Sequence, residues 1–171
     1  MNTPGGDPTS ARDRVFSQVF DEHWAAVRHH IEGAVDDDAV TTEILSEVFL
    51  AAWSRLVPRR PMGRVWLFRR ADREIRARVP HATTRTGTLV AVQEGIVGAS
   101  GEKDHAAVLR ALSVLHPRER RIIVLTYWDG LPVGDIAELS RTSVNRVRKT
   151  LHRAQDHLRR ALRSEGVIVD D

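Results

Sequence analysis

The chain contains no cysteine, which excludes disulfides, thiolate metal sites and cysteine nucleophiles. Lysine is almost missing as well. Of 26 basic residues only Lys103 and Lys149 are lysines, and the others are arginine. Arginine is favoured where a planar fork of donors meets phosphate or carboxylate, and a GC-rich coding sequence produces the same bias. Long apolar runs are absent. Stretches such as Ile122-Ile123-Val124-Leu125 fall far short of the roughly 20 residues that a membrane span needs. The opening Met1-Asn2-Thr3-Pro4-Gly5-Gly6-Asp7-Pro8 has neither the basic nor the apolar region of a signal peptide. A cytoplasmic protein with no membrane insertion is expected.

The usual signs of chemistry are missing too. No Ser-His-Asp order, glycine-rich phosphate loop or isolated carboxylate pair argues for catalysis, so no catalytic residue and no cofactor are assigned. Eight histidines are present, but none has the His-Glu-x-x-His or a comparable ligand spacing. His29 and His30 are adjacent and cannot share a helix face. No metal site is expected, and no strand pair with clean alternation is visible.

What is present is helical periodicity over 171 residues, 42% of them hydrophobic, with a formal net charge of only +3. Residues 1–14, polar and rich in Pro and Gly at their start, read as a disordered leader. Val15, Phe16, Val19, Phe20, Trp24, Val27 and Ile31 recur at helical spacing and define one apolar face. Gly33 is a stop. Asp36-Asp37-Asp38 offers an N-cap for a second helix, whose face is Ile44, Leu45, Val48, Phe49, Ala52 and Trp53. Pro58 and Pro61 interrupt the pattern, and a third helix runs from about Met62 to Val79. Residues 80–104 lack a sustained period and carry Gly87, Gly95, Gly98 and Gly101, so they read as a linker. Helical signals return over 105–163, and 164–171 is a short tail. The expected fold is all-α, two small helical domains joined by a linker.

The most informative stretch runs from Leu131 to Ala154. A short helix around Ile136-Ala137 precedes a tight turn and a longer helix capped by Ser143. That last helix places Val144, Val147, Leu151, Ala154 and Leu158 on one face. Its other faces carry Asn145, Arg146, Arg148, Lys149, Arg153, Arg159, Arg160 and Arg163, with Asp156 the one acid. This is the pattern of a helix-turn-helix, whose second helix fits the DNA major groove. Arg and Lys there neutralise phosphates and release counterions. Asn and Arg near the helix start can pair with base edges. The plainer reading is a solvated basic face on a bundle helix, and the order of short helix, turn and capped basic helix argues against it. Ser143, Asn145, Arg146, Arg148, Lys149 and Arg153 are the duplex-DNA candidates. A second basic run, Arg59, Arg60, Arg64, Arg69, Arg70 and Arg73, continuing to Arg76 and Arg78, is broken only by Asp72 and Glu74. It is a candidate for phosphate contact. Trp53, Trp66 and Phe68 read either as core or as platforms for unpaired bases.

Leu115-His116-Pro117-Arg118-Glu119-Arg120, Ile122 to Leu131, Asp135-Ile136-Ala137-Glu138 and Leu151-His152-Arg153-Ala154 together resemble region four of extracytoplasmic-function sigma factors, in the sigma-70 family. Glu43 to Trp53 is similar to the region two helix that docks on the polymerase clamp. Trp66-Leu67-Phe68-Arg69-Arg70-Ala71 resembles the helix that reads and melts the minus-ten element. The resemblance implies a factor that binds core RNA polymerase and directs promoter-specific initiation, with no enzymatic activity of its own. It implies docking through Glu43, Glu47, Val48 and Phe49, minus-ten contact through Arg59, Arg60, Arg64, Arg69, Arg70 and Arg73, and minus-thirty-five contact through the last helix. Promoter DNA and an anti-sigma factor are the further partners it implies. This chain departs from the family pattern at four places, one of them the loop between Trp53 and Trp66, which is short and lacks the usual aromatic-glycine pattern. Ser140-Arg141 replaces the common Leu-Gly of the turn, Pro132 replaces a capping Ser, and Asp72-Arg73 replaces Arg-Asn.

Two other functions fit a helix-turn-helix. One is a homodimeric operator-binding regulator, and the other is a sigma-like interaction module without promoter activity. Linker length bears on the choice. Twenty-five residues (80–104) span roughly 80 to 90 Å when extended, and roughly 25 to 30 Å as a free coil. Two promoter elements about 25 base pairs apart are separated by roughly 85 Å. The sigma reading therefore asks for a linker held extended in the working complex.

Overall fold

A computed structural model describes residues 8–79 and 105–166. The chain divides into two compact units, Met1–Ala82 and Thr83–Asp171. Among the described residues there are seven helices and no strand, only one isolated bridge between Val57 and Arg60. The linker expected over 80–104, the first seven residues of the expected leader and the last five of the expected tail lie outside the described residues.

The first unit is a three-helix bundle of α1 (Pro8–Glu32), α2 (Asp38–Arg55) and α3 (Arg64–Arg78), each packed on both others. The expected leader is corrected here, because α1 starts at Pro8 and is helical through 8–14. Proline suits a first helical turn, where its missing N–H has no partner to lose. Arg12 holds this polar turn down. Its guanidinium lies 4.7 Å over the Trp53 ring and donates to the Trp53 carbonyl. Val19, Val27 and Ile31 are the buried stripe of α1. Phe16, Phe20 and Trp24 instead form a half-exposed edge, with Phe20 4.8 Å from Phe49 and Phe16 5.1 Å from Trp53. Asp37 caps α2 by accepting from Val40 N at 3.0 Å.

A buried polar contact crosses this core. His30 of α1 and Asp72 of α3 meet at 2.9 Å (Nε2 to Oδ1), and the His30 ring stacks on Phe68 at 4.3 Å. Both polar residues are buried. A buried polar group is costly unless it is hydrogen-bonded, and each of these satisfies the other. The departure at Asp72 thus has a structural partner within the chain.

The second unit consists of α4 (His105–Ser113), α5 (Pro117–Tyr127), α6 (Val133–Leu139) and α7 (Val144–Ser164). Helix α7 packs on the other three. Its buried seam is Val147, Ala154, Leu158 and Leu162, of which the last three meet Ala111, Leu112, Leu115 and Ile123. Helix α5 begins with a reciprocal cap. His116 Nδ1 accepts from Arg118 N at 3.3 Å, and the Glu119 carboxylate accepts from His116 N at 3.1 Å. It ends where Gly130, at φ 63°, lets Leu131 N return to the Leu125 carbonyl.

Helix α6 ends in a Schellman turn. Thr142 N donates to the Ala137 carbonyl at 2.9 Å, and Arg141 N donates to the Glu138 carbonyl at 3.2 Å. That motif needs a left-handed residue at position 141, and Arg141 adopts φ 52°. The turn therefore keeps its shape without glycine, at a cost of roughly 1 kcal/mol in backbone strain.

Candidate nucleic-acid interface

The order α6, turn, α7 is a helix-turn-helix. Ser143 starts the second helix, its Oγ accepting from Arg146 N at 3.2 Å. Beyond the cap, Asn145, Arg146, Arg148, Lys149 and Arg153 are all exposed, on the side of α7 away from its apolar seam. The structure thus brings the duplex-DNA candidates together on one open cationic face. Val144 is a correction. It was expected on the buried face, yet it is 37% exposed, at the first position of α7, one turn before the first seam residue Val147. Leu151 is half-buried.

Two residues on the open face call for note. His152 lies one turn beyond Arg148, mostly exposed, with Nε2 3.4 Å from Asp156 Oδ2. Asp156, the single acid of α7, also lies 3.9 Å from Arg159 Nη1. It therefore tempers the C-terminal half of the helix and leaves Arg146, Arg148 and Lys149 without an acidic neighbour within a turn along α7. Replacing the cap, Ser143→Ala, is expected to cost about 1 kcal/mol. Urea unfolding checks this, and a change below about 0.3 kcal/mol counts against the cap.

The residues expected at the minus-ten element are arranged differently. Arg59 and Arg60 are exposed in the loop after α2, and Arg73 is exposed on α3. Arg64 and Arg69 are half-buried. Arg70 is committed to Glu74, with Nη2 2.6 Å from Oε1. Arg78 contacts the same carboxylate from the opposite side, one turn on. The basic run is therefore not a continuous cationic face. Glu74 sits buried in its middle and pairs the residues four before and four after it. Phe68 is 1% exposed and belongs to the core, so it offers no platform for a base.

The expected polymerase-docking set splits in two. Glu43 and Glu47 are exposed and four apart on α2, with Glu43 Oε2 3.8 Å from Arg78 Nε. Val48 and Phe49 are corrected, being 0% and 5% exposed. They lie on the face of α2 turned to its neighbour helices, where no partner surface reaches them. Only the two glutamates remain available.

The sequence profile described as Sigma-70, region 4 matches residues 105–163, the span of α4 through nearly all of α7. The RNA polymerase sigma-E factor of Streptomyces avermitilis is 36% identical over 64 residues, covering 37% of this chain and 36% of that protein. The sigma-E factor of Streptomyces antibioticus is 34% identical over 64 residues, with the same coverage. The likeness to Sigma-70, region 4 is thus shown for residues 105–163. The match spans about a third of the curated relatives' length, 36% for the first two. The structure of CnrH in complex with the cytosolic domain of CnrY is similar in fold. Its TM-score is 0.59 at 24% identity, covering 91% of this chain and 94% of that one. This chain thus shares its helical architecture with CnrH, and its sequence match to the sigma-E factors is confined to little more than a third.

The hollow beside the turn was not legible beforehand. Arg118 and Arg121 of α5 face Arg141 of the turn and Arg146 of α7 across a space of about 370 Å³. Residues 20 or more positions apart meet there, and no local pattern announces it. The one available signal was Arg141 standing where the family commonly has glycine.

Proposed function

We propose that this chain is a sigma factor that binds core RNA polymerase and directs it to specific promoters. The supporting observation is α7, a capped helix with a dry seam on one side and an open row of Asn145, Arg146, Arg148, Lys149 and Arg153 on the other. A helix presented in this way enters the major groove, with phosphate contacts setting position and base contacts setting sequence. Residues 105–163 are assigned to the minus-thirty-five element. Residues 15–79 are assigned to polymerase docking and the minus-ten strand, with Glu43 and Glu47 toward the polymerase and Arg59, Arg60, Arg64 and Arg73 toward DNA. The chain acts without catalysis of its own and works in the cytoplasm. No described helix is long and apolar enough to cross a membrane. CnrH is bound to the cytosolic domain of CnrY, and a comparable protein partner, an anti-sigma factor, is inferred for this chain.

In vitro transcription with purified core polymerase tests the reading. Co-purification with core and defined transcript starts are expected. Failure to bind core, or to start transcripts at any promoter in a genomic library, defeats it. Arg148→Ala and Arg153→Ala are each expected to reduce the slope of log K against log salt for holoenzyme–promoter binding by about one. An unchanged slope removes that residue from the phosphate contacts.

A further inference from the structure

Helix α3 carries six arginines, Arg64, Arg69, Arg70, Arg73, Arg76 and Arg78, and two acids, Asp72 and Glu74. Asp72 is buried in the core against His30. Glu74 is therefore the one acid of α3 left beside its basic surface. Its two carboxylate oxygens serve different guanidinium groups. Oε1 lies 2.6 Å from Arg70 Nη2, and Oε2 meets Arg78 Nη1. Glu43 of α2, exposed and 3.8 Å from Arg78 Nε, is a second and looser anion for Arg78. Arg73, the residue before Glu74, stands exposed.

This arrangement differs from an ordinary pair of charges on a helix surface. Such pairs lie in water and contribute little. Glu74 is instead only 9% exposed, so its charge depends on the two guanidinium groups that cover it. The match is also incomplete. Arg70 Nε is buried with no hydrogen-bond partner, although buried donors are ordinarily satisfied. Arg70 also precedes Glu74, the less favourable order for such a pair along a helix. A phosphodiester presents two charged oxygens to forked guanidinium donors much as a carboxylate does. Glu74 thus occupies two arginines in the way a nucleic-acid phosphate would.

We propose that Glu74 restrains the DNA affinity of α3 by holding Arg70 and Arg78 away from the strand. DNA as the anion held off rests on the function proposed above. Removing the Glu74 charge frees both arginines to join Arg73 in contacting phosphate.

The test measures binding of the full chain, without polymerase, to a single-stranded thymidine oligonucleotide across salt. Glu74→Gln keeps the size of the side chain and removes its charge. The variant is expected to bind more tightly at low salt. Its slope of log K against log salt should steepen by about 1.4, two contacts at about 0.7 each. Between about 50 and 200 mM salt it then loses roughly sevenfold more affinity than wild type. Adding Arg78→Gln should take back about half of that change. Glu22→Gln removes the same charge from α1 and is expected to keep the wild-type slope. A purely structural pairing predicts equal or weaker binding by Glu74→Gln at the wild-type slope, and that result overturns the proposal. So does an equal change in Glu22→Gln, or binding by neither wild type nor Glu74→Gln. Should Glu74→Gln fail to fold, Glu74→Asp replaces it. Its carboxylate is drawn back by one methylene, which is expected to release one guanidinium and steepen the slope by about 0.7. An unchanged slope there is equally fatal. If wild type starts no transcripts with core polymerase, the sigma reading fails, and the oligonucleotide slopes still decide what Glu74 does.

Discussion

Phe68→Ala is expected to destabilise the first unit by about 3–5 kcal/mol. Phe68 is 1% exposed and among the largest fully buried side chains of the protein. Its ring fills the middle of α3's inner face, between Leu67 and Ala71, and lies 4.3 Å from the His30 ring. Removing it takes away the transfer energy of an aromatic side chain and leaves a cavity that a three-helix bundle can only partly close. The loss has a second part. His30 and Asp72 form a buried hydrogen bond at 2.9 Å beside the ring, and an opened core admits water to compete for it. A bundle of this size has only about 5–15 kcal/mol of total stability, so the variant approaches the unfolding threshold at ordinary temperature. Urea unfolding followed by tryptophan fluorescence measures the effect, since Trp24, Trp53 and Trp66 all lie in this unit. A loss below about 1 kcal/mol would show that Phe68 is not the keystone its burial implies.

The same neighbourhood shows what the sequence discloses and what it withholds. Caps and stops were legible because they are local. Asp37, Pro117, Gly130 and Ser143 each act within five residues of their own position. The inner faces of α2, α3 and α7 were legible from spacing. The His30–Asp72 pair was not, because 42 positions separate its members and nothing in either segment refers to the other. Phe20 and Trp24 satisfied the apolar spacing of α1, yet a bundle of three helices is too narrow to bury a stripe that wide, and they stay at its rim. The start of α1 was obscured by polar composition, since Arg12 secures it through Trp53 on another helix.

The interface was legible in the same uneven way. The open face of α7 follows from one helix's periodicity, so all six of its candidates were placed correctly as exposed. The docking set on α2 mixed two faces. Glu43 and Glu47 point outward, while Val48 and Phe49 share the inward face with Ile44, Leu45 and Ala52. Periodicity already separated them, and the resemblance to a docking helix had merged them. Along α3, the four-residue spacing of Arg70, Glu74 and Arg78 already implied internal pairing, which reduces the charge that reaches a partner.

Leu158→Ala is expected to cost about 2–5 kcal/mol in the second unit, and with it the proposed duplex binding. Leu158 is fully buried in the cluster that joins α7 to α4 and α5, among Leu112, Leu115 and Ile123. Val147, Ala154, Leu158 and Leu162 are the only residues of α7 that lie fully inside. A helix with so much positive charge on its open face is held to the bundle chiefly by that seam. Seven arginines and lysines between Arg146 and Arg163 repel one another, and the apolar contact must outweigh that repulsion. Shortening one seam residue therefore loosens the platform that aims Arg148 and Arg153, although neither is touched. Unfolding of the second unit is expected to occur at a lower urea midpoint. Promoter affinity should fall in parallel as temperature rises, while the salt slope stays at the wild-type value in the fraction that remains folded. A variant that binds promoter normally up to the wild-type melting temperature would mean that α7 is fixed by its cap and turn rather than by its apolar seam.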